Sequence, residues 1–247
     1  MKREFMILSL VAFLVIGLTM GAQAADPKQP IKIGAFFALS GPAAPIGTPT
    51  KLVAEMVVDQ INKAGGINGR PLELVIGDTE SDPAKAATIA KKFIHSDKVA
   101  AIIGPTSTGE GMQVKKIVEE AGIPIFMTVG GDPPIMKETG PFTYIFKSPQ
   151  RSSTAIKRLF EYLKEKNLTK VAMFTASDPF GKDGAVWLEK LAPDYGITFV
   201  AKESFGPKDT DMTPQLTKIK NANPDAIISW TIGPAGAIVA KNKAQLG

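Results

Sequence analysis

The chain has 247 residues, 44% of them hydrophobic, with one histidine and no cysteine. That composition excludes a disordered tail, a disulfide-stapled miniprotein and a multispan membrane protein, and the missing thiol removes cysteine nucleophiles, thiolate metal sites and a lipid-anchoring cysteine. The formal charge of +5 is spread along the chain rather than clustered with aromatics, so a solvated basic surface is expected and a nucleic-acid face is not.

Residues 1–24 read as an export signal. Lys2 and Arg3 precede an apolar run from Phe5 to Met20, and Ala22-Gln23-Ala24 supplies the small residues a signal peptidase prefers. The run is short for a membrane span, and no basic stop-transfer cluster follows it. Cleavage before Ala25 would leave a chain outside the cytoplasm.

From there strands and helices are expected to alternate. Ile31 to Phe37 is a short apolar run and the first strand. Thr48 and Pro49 suit a helix start, and Leu52, Val53, Met56, Val57 and Ile61 repeat at helical spacing. Glycines 65, 66 and 69 end that helix, and Leu72–Ile76 is the next strand. Asp82-Pro83 opens a helix through Ile94, Val99–Ile103 is a third strand, a helix runs to Glu120, and Ile123–Met127 is a fourth strand. This order implies a parallel sheet with helices on both faces.

Phe142–Lys147 reads as a last strand before Ser148-Pro149-Gln150 crosses to a second unit. There the alternation restarts: helix Ser153–Lys166, strand Val171–Phe174, helix Ala185–Leu191, strand Ile197–Ala201, helix Pro214–Asn221, strand Ala226–Trp230 and helix Gly236–Leu246. The expected organisation is a leader (1–24), a first α/β lobe (25–147) and a second, partial lobe (148–247). The second lobe is expected to be incomplete because its final helix has no strand to follow it.

Catalytic motifs are missing. His95 stands alone on a polar stretch and reads as a solvated helix-end residue, which leaves no histidine triad or His-rich metal site. Gly104-Pro105-Thr106-Ser107-Thr108-Gly109 resembles the start of a phosphate loop, but Glu110-Gly111 stands where lysine and a hydroxyl are required. Asp78, Glu80, Asp82, Asp178 and Asp183 fit helix caps and dipole partners better than an acid/base pair. What remains is a set of strand-ending loops: Ser40-Gly41-Pro42, Thr106-Ser107-Thr108, Thr128-Val129-Gly130-Gly131 and Asp178-Pro179-Phe180-Gly181. Ligands of open α/β sheets sit at the carboxyl ends of the strands, and N–H groups at helix starts suit an anionic group such as a carboxylate.

Ala38-Leu39-Ser40-Gly41-Pro42, the run Asn62 to Leu72, Asp78 to Pro83, Ile102-Ile103-Gly104-Pro105 and Ala121-Gly122-Ile123-Pro124 occur in that order. Together they resemble the leucine/isoleucine/valine-binding family of substrate-binding proteins of ABC importers, from Ile31 to Gly247. The resemblance implies a type I periplasmic-binding fold: two doubly wound lobes closing on a small ligand, joined by three crossing segments of which this chain holds one. It implies a periplasmic protein without cofactor, an ABC permease as partner, and a monomer when complete. First-lobe elements contributed from the missing part would leave apolar surface uncovered, so poor folding and aggregation are expected of the chain alone.

The resemblance also implies a site. Thr108, with Ser107 adjacent, would bind the ligand carboxylate, and Thr128, Gly130 and Gly131 would supply further donors. Phe180 stands where the family's tyrosine packs on the ligand. Ile46 and Ile232 stand where aromatic residues are usual. These departures are all towards apolar surface, so a branched-chain amino acid ranks first and an amine-free aromatic or aliphatic acid second. A sensor domain of the same fold and, distantly, an α/β enzyme remain as alternatives.

Overall fold

The computed structural model describes residues 29–136, 140 and 142–247; the expected leader lies outside them. Among the described residues, eight strands form two all-parallel sheets. The first holds β1 (Ile31–Phe37), β2 (Leu72–Asp78), β3 (Ala101–Ile103), β4 (Ile125–Met127) and β5 (Ile145–Lys147), in the order β2-β1-β3-β4-β5. The second holds β6 (Lys170–Ala176), β7 (Thr198–Phe205) and β8 (Ala226–Trp230), in the order β7-β6-β8.

In the first lobe α1 (Ala44–Lys63) lies against β1 and β2. Helices α2 (Pro83–Lys92) and α3 (Thr108–Ala121) pack on each other over the other face, enclosing Phe36, Ala90, Phe93, Val114 and Val118. The second lobe shows the same division along β6, whose side chains alternate across the pleat. Val171 and Met173 join the core under α4 (Ser152–Glu165) and α5 (Pro179–Tyr195). Ala172, Phe174 and Ala176 join the core under α6 (Thr213–Asn221) and α7 (Ala235–Gln245). Both lobes are therefore doubly wound, as the strand–helix alternation implies.

Two helices start earlier than their sequences suggest. The Thr48-Pro49 start is not used: α1 begins at Ala44, and Pro49 lies inside it. Gly47 is buried, and a Cβ there would stand 2.1 Å from the Ala38 carbonyl oxygen, so this close backbone packing sets the first turn. Similarly, α5 begins at Pro179 rather than Ala185, capped by the Asp178 carboxylate, which accepts the Gly181 N–H at 2.8 Å. Gly181 and Gly184 weaken the local helix signal, yet each meets neighbouring atoms so closely that no side chain fits: Ala176 O at 1.8 Å from a Cβ at 181, Trp230 Cδ1 at 2.1 Å from one at 184.

Part of the first lobe's apolar surface is open. Phe126 on β4 and Phe146 on β5 stack at 5.1 Å and are 54% and 45% exposed, and Leu52, Val53, Met56 and Val57 form an exposed stripe on α1. No helix among the described residues is long and apolar enough to cross a membrane.

Candidate functional site

Three helix N-termini meet where the lobes face each other. Asp82 and Pro83 open α2, Ser107, Thr108 and Gly109 open α3, and Asp178, Pro179 and Phe180 open α5; all eight line one cleft of about 250 Å³. Pro42, Ala43, Glu80 and Ser81 complete the first-lobe wall, and Pro207, Lys208 and Ile232 the second. All of these residues stand at or just beyond the carboxyl ends of strands, where open parallel sheets place ligands. A larger groove of about 680 Å³ runs along the edge strand β8 between α6 and α7, but it reaches the amino end of that strand, at Pro224, Asp225 and Ala226, rather than the carboxyl ends.

The α3 terminus is arranged to present donors. Ser107 Oγ accepts the Glu110 N–H at 3.3 Å, and Glu110 Oε2 accepts the Ser107 N–H at 2.6 Å, a reciprocal capping box. The N–H groups of Thr108 and Gly109 have no partner among the described residues and sit at the positive end of the helix dipole. Thr108 is 1% exposed, and its Oγ1 accepts the Gly131 N–H at 2.9 Å, leaving the hydroxyl proton to be donated.

The loop after β2 is held by Asp78. Its carboxylate accepts N–H bonds from Leu39, Ser40 and Glu80 and the Ser40 hydroxyl. Burial pushes this carboxyl up, but the bonds donated by Glu80, Ser40 and Leu39 outweigh it and hold it below its ordinary value. Asp82 caps α2 through the Ala84 and Lys85 N–H groups, and Glu80 pairs with Lys85. Caps and loop anchors thus account for Asp78, Asp82 and Asp178, in line with the sequence reading. Asp183 does not fit that reading: it is 6% exposed and lies in the seam between the lobes, where burial pushes its carboxyl up from the ordinary value.

Of the eight residues the sequence singled out, Ser107, Thr108, Phe180 and Ile232 line the cleft. Gly130 and Gly131 stand behind it. A Cβ at 130 would be 2.7 Å from Phe180 Cε2, and the Gly131 N–H is already engaged by Thr108. Thr128 is turned to the protein, its hydroxyl donating to the Pro105 carbonyl at 2.9 Å. Ile46 is 37% exposed on the first turn of α1 and does not line the cleft, a consequence of the earlier start of that helix. The Phe180 ring stacks on Trp230 at 5.5 Å. Lys208 was not foreseen, although its place just beyond β7 obeys the same strand-end rule that located the other loops. Among the described residues no cluster of three or more His, Asp or Glu is placed to hold a metal ion.

Two parallel-sheet lobes with a cleft at their strand ends define a class of bilobal solute-binding proteins. The family model described as periplasmic binding protein matches residues 30–247, and the chain belongs to that family. It is 28% identical over 235 residues to the Leu/Ile/Val-binding protein BraC3 of Rhizobium johnstonii, covering 94% of this chain and 62% of that one. Over 240 residues it is 27% identical to the leucine-, isoleucine-, valine-, threonine- and alanine-binding protein of Pseudomonas aeruginosa, covering 96% and 62%. The branched-chain amino acid transporter substrate-binding protein LivJ of Streptococcus pneumoniae, solved with isoleucine, superposes with a TM-score of 0.81 at 30% identity, covering 89% and 62%. The chain therefore spans less than two thirds of the length of each of these relatives.

Proposed function

We propose that this protein is the extracytoplasmic solute-binding component of an ABC importer, not an enzyme. In this reading it captures a small carboxylate-bearing solute, with a branched-chain amino acid as first candidate, and presents it to a membrane permease. The observation that carries the proposal is the cleft itself. Its volume of about 250 Å³ lies below the roughly 300–1,000 Å³ of drug-sized sites. Its first-lobe wall offers the Ser107 and Thr108 hydroxyls and two helix-start N–H groups, and its second-lobe wall offers the Phe180 ring and the Ile232 side chain.

The charges on the wall do not choose between an amino acid and a bare acid: Glu80 is paired with Lys85, and Asp82 and Asp178 cap α2 and α5. The branched-chain amino acid is therefore placed first by the relatives' ligands. The α3 terminus receives the carboxylate, and the apolar second-lobe wall receives the side chain. Each lobe supplies part of the contact, so ligand binds the closed arrangement more tightly than an open one and shifts the hinge equilibrium towards closure. The apolar Phe180–Ile232 wall also suits an amine-free acid, the second reading.

Calorimetry with leucine, isoleucine, valine, benzoate and 4-methyl-2-oxopentanoate tests the choice. Heat from the three amino acids alone is expected. Heat from the two acids alone would transfer the proposal to an amine-free ligand, and turnover of any of them would refute the binding-protein reading.

A further inference from the structure

The seam behind the cleft holds a buried polar cluster that the ligand reading does not use. Asp132 follows the Gly130-Gly131 loop, and Lys147 ends β5; both side chains are 1% exposed and pair at 3.2 Å. Lys147 also donates to the carbonyls of Pro149 and Gln150 in the crossing segment, at 3.1 and 2.6 Å. From the second lobe, Asp183 on α5 reaches into this cluster. Its Oδ2 accepts the Ser152 hydroxyl at 2.5 Å and, across the seam, the Asp132 backbone N–H at 3.1 Å.

We infer that Asp183 is a positioning residue through which the second lobe grips the Gly130–Asp132 loop of the first, so that closing the cleft and fixing that loop are one event. The inference rests on the hinge-closure reading above. Two bonds order the loop from opposite lobes: Thr108 takes the Gly131 N–H, and Asp183 takes the next one, from Asp132. With those two committed, the loop has one defined path, and Gly130 lies in contact with the Phe180 ring. The approach needs glycine, since a Cβ at 131 would stand 2.8 Å from Thr108 Oγ1 and 3.3 Å from Asp183 Oδ2. Opening the lobes removes the Asp183 acceptor and leaves the Asp132 N–H to water, so the loop is held only when the cleft is shut.

Asp183 receives hydrogen bonds and, in this arrangement, donates none, so an amide can replace it. Asparagine keeps the acceptor and removes a like charge beside Asp132, whose Oδ2 has no partner among the described residues. Alanine removes the acceptor and leaves the Asp132 N–H unpaired. A positioning role therefore separates the two variants, whereas a charge role, removed equally by both, does not.

The test needs no ligand. The chain has no cysteine, so Lys91→Cys on α2 and Thr210→Cys beyond β7, both exposed positions, give a unique dye pair reporting lobe separation. Single-molecule energy transfer is recorded on the full chain with Asp183, with Asp183→Asn and with Asp183→Ala. The open-to-closed ratio should rise roughly tenfold in the alanine variant and stay at or below the starting value in the asparagine variant. An unchanged ratio in Asp183→Ala, or equal opening in both variants, would overturn the inference. Should the alanine variant fail to fold, amide exchange in the unsubstituted protein decides: protection at Asp132 is expected, and exchange as fast as that of an exposed loop overturns the inference. Absence of leucine binding would defeat the proposed ligand without touching this result.

Discussion

Thr108→Ala separates the structural and ligand-facing roles of one side chain. Thr108 is 1% exposed, and its Oγ1 is the acceptor for the Gly131 N–H at 2.9 Å. Alanine leaves that N–H without a partner in the seam between lobes, a loss of about 1–3 kcal/mol. The missing methyl adds about 0.8 kcal/mol, so the expected destabilisation is roughly 2–4 kcal/mol. Thr108→Ser keeps the hydroxyl and loses only the methyl, so it should cost about 1 kcal/mol. Urea denaturation of the two variants and the parent measures both values. Equal losses in Ala and Ser would refute the reasoning, because the hydroxyl would then not be holding a buried N–H. Calorimetry at a temperature where both variants are folded gives the second half: leucine affinity should fall about fivefold or more in the alanine variant and stay near parental in the serine variant. Parental affinity in Thr108→Ala would place the ligand carboxylate elsewhere.

Gly184→Ala would set a Cβ 2.1 Å from Trp230 Cδ1, so the indole must leave its stack on Phe180; a loss of about 1–3 kcal/mol or more by thermal melting and a shifted tryptophan emission are expected, and a neutral outcome would contradict the packing described. Lys147→Met leaves Asp132 charged and buried without its cation, which should cost about 3–5 kcal/mol in urea denaturation; a loss under about 1 kcal/mol would show that the pair is not desolvated. Burial raises the Asp183 carboxyl above its ordinary 3.8, with the Asp132 charge adding to the rise and the Ser152, Asp132 N–H and Lys147 interactions opposing it. The folded state then holds that proton more tightly than the unfolded chain, so the contribution is fully present below the ordinary value and is lost as pH rises through the raised one. The parent's melting temperature should accordingly gain on that of Asp183→Asn as pH falls from about 7 to about 4, and a parent that instead loses ground to Asp183→Asn over that fall would show a lowered carboxyl.

The sequence by itself determined the order of strands and helices, because that order rests on local physics. The apolar runs Ile31–Phe37 and Ala226–Trp230 and the cap-plus-proline pair at Asp82-Pro83 form the elements they imply, with small shifts at their ends. It also marked four residues that line the cleft, since Ser107, Thr108, Phe180 and Ile232 all lie at or just beyond the carboxyl ends of strands. Tertiary structure alone decided where α1 and α5 begin, because Gly47 and Gly181 look helix-breaking until the Ala38 and Ala176 carbonyls pack onto them. The same dependence turned Ile46 away from the cleft and Thr128 towards Pro105. The cluster of Asp132, Lys147, Ser152 and Asp183 had no local signature: 51 residues separate the two aspartates, and each alone resembles an ordinary surface acid. Only the packing of β5, the crossing segment and α5 around them removes them from water, and that burial gives their charges, and the glycines beside Asp132, their roles.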